Sequence, residues 1–418
     1  MSPEPRILKE TFTRLESEPD KSADYFYGRL FAENPRLRPL FPPAMGPQRD
    51  RLFHALTRIV WSQDSPAELS AYLAGLGRGH RRFGVRPEHY PAVGAALIAT
   101  LRRFAADVWT PEAEAAWAAA YDAASTAMIE AAARDAETAP PWWVAEVVAH
   151  DRRAADLAVL TLRPGRPLPY SPGQYVTVQT SRWPRVWRPY SVANAPRADG
   201  LLRLHVRALP GGWVSGALVR HTRPGDTVLL GPAAGAMTLD PGSGRDLLLV
   251  AGGTGLAPAK AIVEQLALSG EARGVRLLVG ARTRSDLYDL ADLRALEAAH
   301  PWLTVTAVLS DDPRPPCDPR PPCDPLPPDA PGPGGVRGPL PDVLDRLGGW
   351  DDHEVYVAGP VPMIRRTVTA LQRLGVPLTR VHHDLLHTGD GPDGALAGTP
   401  GPPGAPGAPG QPPARSRR

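Results

Sequence analysis

Apolar positions in the first third of the chain recur with a helical period. Ile7, Thr11 and Leu15 follow at four-residue spacing, as do Leu52, Leu56 and Val60. Nothing there alternates in the manner of a strand, so residues 1–135 are expected to be all-α. The pattern changes at the proline-marked "ETAPPWW". Beyond it, short runs such as "VAEVVAH", "DLAVLTLRP", "GQYVTVQT" and "LLRLHVRAL" are separated by turn residues, which predicts an antiparallel β-barrel or sheet. Further on, "DLLLVAGG", "VRLLVGAR", "LTVTAVLS" and "HEVYVAG" are continuous apolar strands with helical segments between them, the signature of a parallel α/β domain.

The expected organisation is multidomain: a helical domain over 1–135, a linker over 136–143, a barrel over 144–240 and an α/β domain over 241–388. Two proline-rich segments fall outside this scheme and are expected to be disordered. One is an insertion at 311–335 carrying the duplicated "DPRPPCDPRPPC"; the other is a tail over 389–418. The tail holds five Gly-X-Y triplets, too few for a triple helix, so a flexible reading is preferred.

Charge narrows the function classes. The 47 basic and 44 acidic residues are interspersed, so neither nucleic acid nor an acidic membrane is an expected partner. The start "MSPEPRILKE" lacks a secretory pattern, and the longest apolar-looking stretch is interrupted by Asp122 and Glu130, which argues for a soluble helix. Only Cys317 and Cys323 are present, too few for a disulfide framework, a four-cysteine zinc site or a plant-type iron–sulfur cluster. A cytoplasmic monomer is expected.

Chemistry concentrates in a few motifs. "RPYSVANAP" at 188–196, shortly after "SPGQY", resembles the flavin motif of the ferredoxin–NADP reductase superfamily. The resemblance implies that the segment Arg188, Pro189, Tyr190 and Ser191 binds FAD. Arg188 would pair with a phosphate, Tyr190 pack on the flavin ring and Ser191 hydrogen-bond near the reactive ring nitrogen. It also implies that Tyr175 is a further flavin contact, and that Gly212 and Ser215 of "GGWVSGAL" lie against the pyrophosphate.

"VAGGTGLAPAKAIV" follows an apolar strand and opens a helix. Gly252, Gly253, Thr254 and Gly255 there let backbone N–H groups approach a pyrophosphate. In the same superfamily the turn corresponding to Ala358, Gly359 and Pro360 of "VYVAGPVPMI" lies beside the nicotinamide. Arg282 and Arg284 suit either a 2′-phosphate or solvent, so the donor is NADH or NADPH, with a lean to NADH. Leu385 and Leu386 stand where the superfamily has a C-terminal aromatic.

In the helical region, "DYFYGRLFAENPRLRPLF", "PQRDRLFHAL" and "GRGHRRFGVRPEHYPAVG" resemble, in order and spacing, the globin domain of flavohemoglobins. The resemblance implies haem b, with His80 as proximal iron ligand and Tyr27 and Gln48 in the distal pocket. Leu52 would be the apolar residue one turn beyond Gln48, and Phe41 the aromatic wedged against the porphyrin. Each residue taken singly also fits ordinary packing; the set carries the reading. Leu73 and Leu76 would place His80 on an apolar helix face, whereas His89 falls at a helix start and is expected to be exposed. Tyr90 matches a tyrosine that, with a glutamate, hydrogen-bonds around the proximal histidine in flavohemoglobins. Ala132 occupies the glutamate position. Glu130 is nearest, but two helical positions turn it roughly 200° away.

The implied function is an oxidoreductase passing electrons from NAD(P)H through FAD to haem, which oxidises nitric oxide with O₂ to nitrate. Two alternatives stand beside it: an NAD(P)H-dependent flavin reductase serving another acceptor, and an O₂- or redox-responsive haem binding protein.

Overall fold

The computed structural model describes residues 3–240, 242–270, 273–311 and 336–384. The rest of the proline-rich insertion with Cys317 and Cys323, the leucines Leu385 and Leu386, and the tail lie outside the described residues.

Six α-helices come first: α1 (Pro3–Glu16), α2 (Pro19–Glu33), α3 (Gly46–Trp61), α4 (Pro66–Arg81), α5 (Tyr90–Phe104) and α6 (Pro111–Thr138). Proline sits in the opening turn of α2, α4 and α6, where its missing N–H costs nothing. The stripes anticipated from spacing turn inward in part: Thr11, Leu15, Leu56 and Val60 are buried, while Ile7 and Leu52 are half-buried at the edge of the same cluster. Trp117 Nε1 donates to Thr11 Oγ1 at 2.7 Å in this core and ties α6 to α1.

The barrel follows, from β1 (Trp143–Ala154), β2 (Leu157–Pro164), β3 (Tyr175–Thr180), β4 (Arg188–Ser191), β5 (Leu202–Arg207) and β6 (Thr227–Leu230), with α7 (Trp213–Arg220) before β6. The strands run antiparallel in the order β4-β3-β6-β1-β2-β5, and a bridge between Val192 and Leu204 brings the two ends of the sheet together. Alternating inward residues, among them Leu160, Leu162, Val176, Val178, Leu204 and Val206, fill its interior.

The last domain contains β7 (Leu247–Gly252), α8 (Leu256–Ser269), β8 (Val275–Ala281), α9 (Leu290–Ala299), β9 (Leu303–Leu309), β10 (Val336–Arg337), α10 (Leu340–Leu347), β11 (Glu354–Ala358), α11 (Val361–Arg373) and β12 (Val381–His382). Its strands pair in parallel in the order β10-β9-β8-β7-β11-β12. α8 and α9 cover one face and α10 and α11 the other, so the central strands read as unbroken apolar runs. Strand order reverses at β7, and in open α/β sheets ligands bind outside the strand ends at such a switch point.

Candidate active site

Tyr27 is buried on α2, and its hydroxyl donates to the Gln48 carbonyl oxygen at 3.2 Å. The backbone of Gln48 therefore lies beside Tyr27. Gln48 Oε1 accepts from Arg51 Nη1 at 3.2 Å. Burial pushes the Tyr27 hydroxyl well above the ordinary tyrosine range, so it remains a protonated donor. Its ring stacks on Phe31 (centroids 5.8 Å apart) and meets Phe41 edge-on at 5.7 Å. Leu52 and Phe53 on α3 join the same cluster half-buried.

His80 lies in the last turn of α4, after the buried Leu73 and half-buried Leu76. Its Nδ1 is buried with no hydrogen-bond partner. Burial, aided by the positive charge of Arg82, lowers the imidazole pKa to about 4, so the ring is neutral, the form that ligates iron. Neutral, and with no hydrogen bond from Nδ1 to hold the ring elsewhere, the imidazole fits a haem ligand: its unprotonated nitrogen can meet iron while the other carries the proton.

Tyr90 opens α5 and packs with Leu73, Leu76 and Met128. Burial raises its hydroxyl pKa to about 12. Its carbonyl accepts from the Tyr121 hydroxyl at 2.7 Å, but no bond from Tyr90 reaches His80 Nδ1. His89 is half-buried, and its Nδ1 accepts from the Arg86 N–H at 3.0 Å, closing the turn before α5. Glu130 is exposed and pairs with Arg134 at 3.5 Å, so it supplies no carboxylate to the histidine, and Ala132 supplies none by its nature.

In the barrel, β3 and β4 pair Tyr175 with Ser191, Val176 with Tyr190, Thr177 with Pro189 and Val178 with Arg188. Tyr175 and Thr177 thus share a face with Ser191 and Pro189. Tyr175 is buried; burial and the Asp384 carboxylate push its hydroxyl to about 12. Arg188 Nη1 donates to the Trp187 carbonyl at 3.0 Å, Pro189 is buried, and Tyr190 and Ser191 are half-buried. Gly212 caps α7, where a Cβ would lie 2.4 Å from Ser215 Oγ; that oxygen accepts from the Leu209 N–H at 3.2 Å and closes the turn. A glycine turn at a helix N-terminus suits the pyrophosphate of a dinucleotide.

The two glycine motifs of the α/β domain come together. Gly252 ends β7, Gly253 takes φ +56°, and the turn through Thr254 and Gly255 enters α8. A Cβ at Gly255 would lie 2.3 Å from the Ala358 carbonyl oxygen, and one at Gly252 would lie 3.3 Å from Pro360 Cδ. Gly359 adopts φ +151° against Gly252. Only glycine permits two backbones this close. A cleft beside this turn is lined by Gly253, Leu256, Gly280, Asp286, Leu287 and Tyr288. Arg282 and Arg284 are exposed, and Thr283 between them donates its N–H to Asp286 Oδ2 at 3.1 Å.

Several polar residues that the sequence did not single out form bonds within the α/β domain or between it and the barrel. Lys260 Nζ is buried 2.6 Å from Asp289 and 3.3 Å from Asp292. His205 of β5 meets the Tyr288 hydroxyl at 2.8 Å. Asp384 Oδ1 accepts from the Ala236 N–H at 3.1 Å. A lysine inside the apolar "GLAPAKAIV" was the one local signal for this network.

A helical domain with a buried histidine, fused to a barrel and a nicotinamide-type sheet, defines a globin–reductase electron-transfer protein. Family models agree segment by segment: Globin over residues 24–128, Oxidoreductase FAD-binding domain over 144–238 and Oxidoreductase NAD-binding domain over 249–320. The Flavohemoprotein of Bordetella pertussis is 30% identical over 420 residues, covering 93% of this chain and 99% of that one. The chain belongs to the flavohemoprotein family. Its cofactors are accordingly haem, FAD and a nicotinamide dinucleotide. A flavohemoglobin from Malassezia yamatoensis, solved with bound FAD and heme, shares the fold with TM-score 0.70 and 18% identity, over 92% of this chain and 98% of that one. Over the reductase portion, the reductase component of the naphthalene 1,2-dioxygenase system of Pseudomonas putida is 32% identical over 247 residues, 58% of this chain and 68% of that one.

Proposed function

We propose that the enzyme oxidises nitric oxide to nitrate with O₂, drawing electrons from NADH or NADPH. Per NADH, two electrons convert two NO and two O₂ to two nitrates, with release of NAD⁺ and one proton. The flavin, when bound, turns a two-electron hydride into single electrons, and haem iron takes them up and presents O₂. The chain's residues do the rest. His80 would hold the iron. The Tyr27 hydroxyl stays protonated, and its one proton, which here goes to the Gln48 carbonyl oxygen, would turn to O₂ in the apolar site bounded by Phe41 and Leu52. Tyr90 packs behind the His80 helix. Tyr175, the Arg188–Ser191 strand, Gly212 and Ser215 bind FAD, and the turn Gly252–Gly255 with Ala358, Gly359 and Pro360 receives the nicotinamide dinucleotide.

The observation that carries this reading is the buried Tyr27 hydroxyl beside Gln48 in a chain that also holds its own reductase. The test is nitric oxide consumption by the purified, haem- and FAD-loaded protein with NADH in air. Consumption well above that of free haem supports it; consumption no faster than free haem refutes it. The unpartnered His80 Nδ1, with no carboxylate supplied by Glu130 or Ala132, favours one other reading, a reductase for an external acceptor. Turnover with external acceptors unaffected by His80→Ala, together with absent nitric oxide consumption, would establish that alternative.

A further inference from the structure

The segment that follows His80 is held at both ends. The Arg82 and Phe83 N–H groups both donate to the His80 carbonyl oxygen, the latter at 3.0 Å, so this turn is bonded to the backbone of His80 itself. From it Arg82 crosses to the barrel, where its Nη1 donates to Thr177 Oγ1 on β3 at 3.0 Å, with its guanidinium over the Trp187 ring at 5.6 Å. In the opposite direction Arg185 of the barrel sends Nη1 to the Phe83 carbonyl at 2.9 Å.

Two features show that the arrangement is specified. Arg185 is the one non-glycine residue with positive φ among those described, at +68°, and its N–H is held by Gln179 Oε1 at 2.7 Å. Such a backbone persists only where its surroundings over-determine it. On the other side, a Cβ at Gly231 would lie 2.3 Å from Thr177 Oγ1, so the absence of a side chain there makes room for the Thr177 hydroxyl. Thr177 in turn lies opposite Pro189, inside the Arg188–Ser191 flavin motif.

We propose that Arg82 and Arg185 form a reciprocal clasp that fixes the flavin strand pair against the turn carrying His80, and that both act as positioning residues for electron transfer from flavin to haem. The proposal rests on the haem-reductase reading above. The electron moves from reduced flavin to ferric iron, with hydride from NADH as its source; the clasp residues change no charge or bond in that step. Their contribution is geometric, holding donor and acceptor in one arrangement in place of a range of domain orientations.

The test is anaerobic mixing of the loaded full-length protein with NADH, following flavin and haem absorbance separately, for wild type, Arg82→Gln, Arg185→Gln and Thr177→Val. The expected result is flavin reduction at the wild-type rate with haem reduction slowed about tenfold to a hundredfold, the scale carried by a misplacement of about 1 Å. Arg82→Lys, which keeps a donor toward Thr177, should recover part of the loss, and Arg82→Gln with Thr177→Val should cost no more than either alone. Amide hydrogen exchange without NADH should rise at residues 80–86 and 175–179 in the slowed variants. Haem reduction at the wild-type rate in all three single variants overturns the clasp. Failure of wild-type haem to reduce while its flavin does would overturn the underlying reading instead.

Discussion

Gly77 on α4 faces Met128 on α6 so closely that a Cβ at Gly77 would lie 2.1 Å from the Met128 carbonyl oxygen. The contact is backbone to helix, one turn before His80, so it sets how near the His80 helix sits to α6. No rotamer change relieves a clash with a carbonyl.

Gly77→Ala must therefore push α4 away from α6. Overpacking of this kind costs about 1–3 kcal/mol, against which the helix-propensity gain of alanine over glycine, about 1 kcal/mol, is only a partial offset. The expected outcome is a lower thermal midpoint and faster transfer of haem to an apo-globin acceptor, with NADH-to-flavin reduction unchanged because the barrel is untouched. Gly75→Ala, where a Cβ meets nothing within 4 Å, is the control and should be neutral or stabilising.

Tyr27→Phe removes a hydroxyl that is buried and donating to Gln48. A neutral hydrogen bond contributes about 0.5–1.5 kcal/mol net, so loss of the donor should raise the O₂ dissociation rate by up to about tenfold. Flash photolysis of the ferrous protein measures it. An unchanged rate would confine Tyr27 to packing against Phe31 and Phe41 and remove it from the proposed chemistry.

The order of the three domains was legible because each rests on local signals: helical spacing at Leu52, Leu56 and Val60, alternation along "GQYVTVQT", and a glycine turn after an apolar strand. Residues whose identity is tied to a short motif, such as Gly252 and Gly255, could be named for the same reason. The contacts that join the domains could not. Arg82 and Thr177 are 95 positions apart and Arg185 and Phe83 are 102, so no periodicity links them, and an arginine in a charged stretch reads as a solvated face. His205 and Tyr288 met the same obstacle, since each sits in a segment that looks like surface strand or loop.

His205 is buried against Tyr288, and burial, with the nearby charges of Lys260, Arg153 and Arg203, lowers its pKa from 6.5 to about 3. In the unfolded chain the same ring takes a proton below about pH 6.5, whereas the folded protein resists protonation until about pH 3. The unfolded state then binds more protons, so stability is full above pH 6.5 and is lost as pH falls toward 3, by about 1.4 kcal/mol per pH unit at most. Urea unfolding of wild type and His205→Gln at pH 7 and pH 5 isolates this contribution. The wild type should lose more stability than the variant across that interval; equal losses would show that the ring titrates alike in both states.

On the proximal side Glu130 points to Arg134 in solvent, and Ala132, which the resemblance sets at the family's glutamate position, carries no carboxylate. His80 Nδ1 consequently has no acceptor among the described residues, and an imidazole without one is a weaker electron donor to its metal. Ala132→Glu places a carboxylate on the half-buried side of α6. Accepting from the imidazole N–H, it should strengthen the iron–histidine bond and stabilise ferric over ferrous haem. Resonance Raman spectra should show a higher iron–histidine stretching frequency, and spectroelectrochemistry a lower midpoint potential, at a stability cost of about 1–3 kcal/mol for a partly desolvated carboxylate. Glu130→Gln should alter none of these. A stretching frequency that stays put in Ala132→Glu would mean that position 132 does not face His80, and that this chain differs from its family in the placement of α6 as well as in the residue it carries.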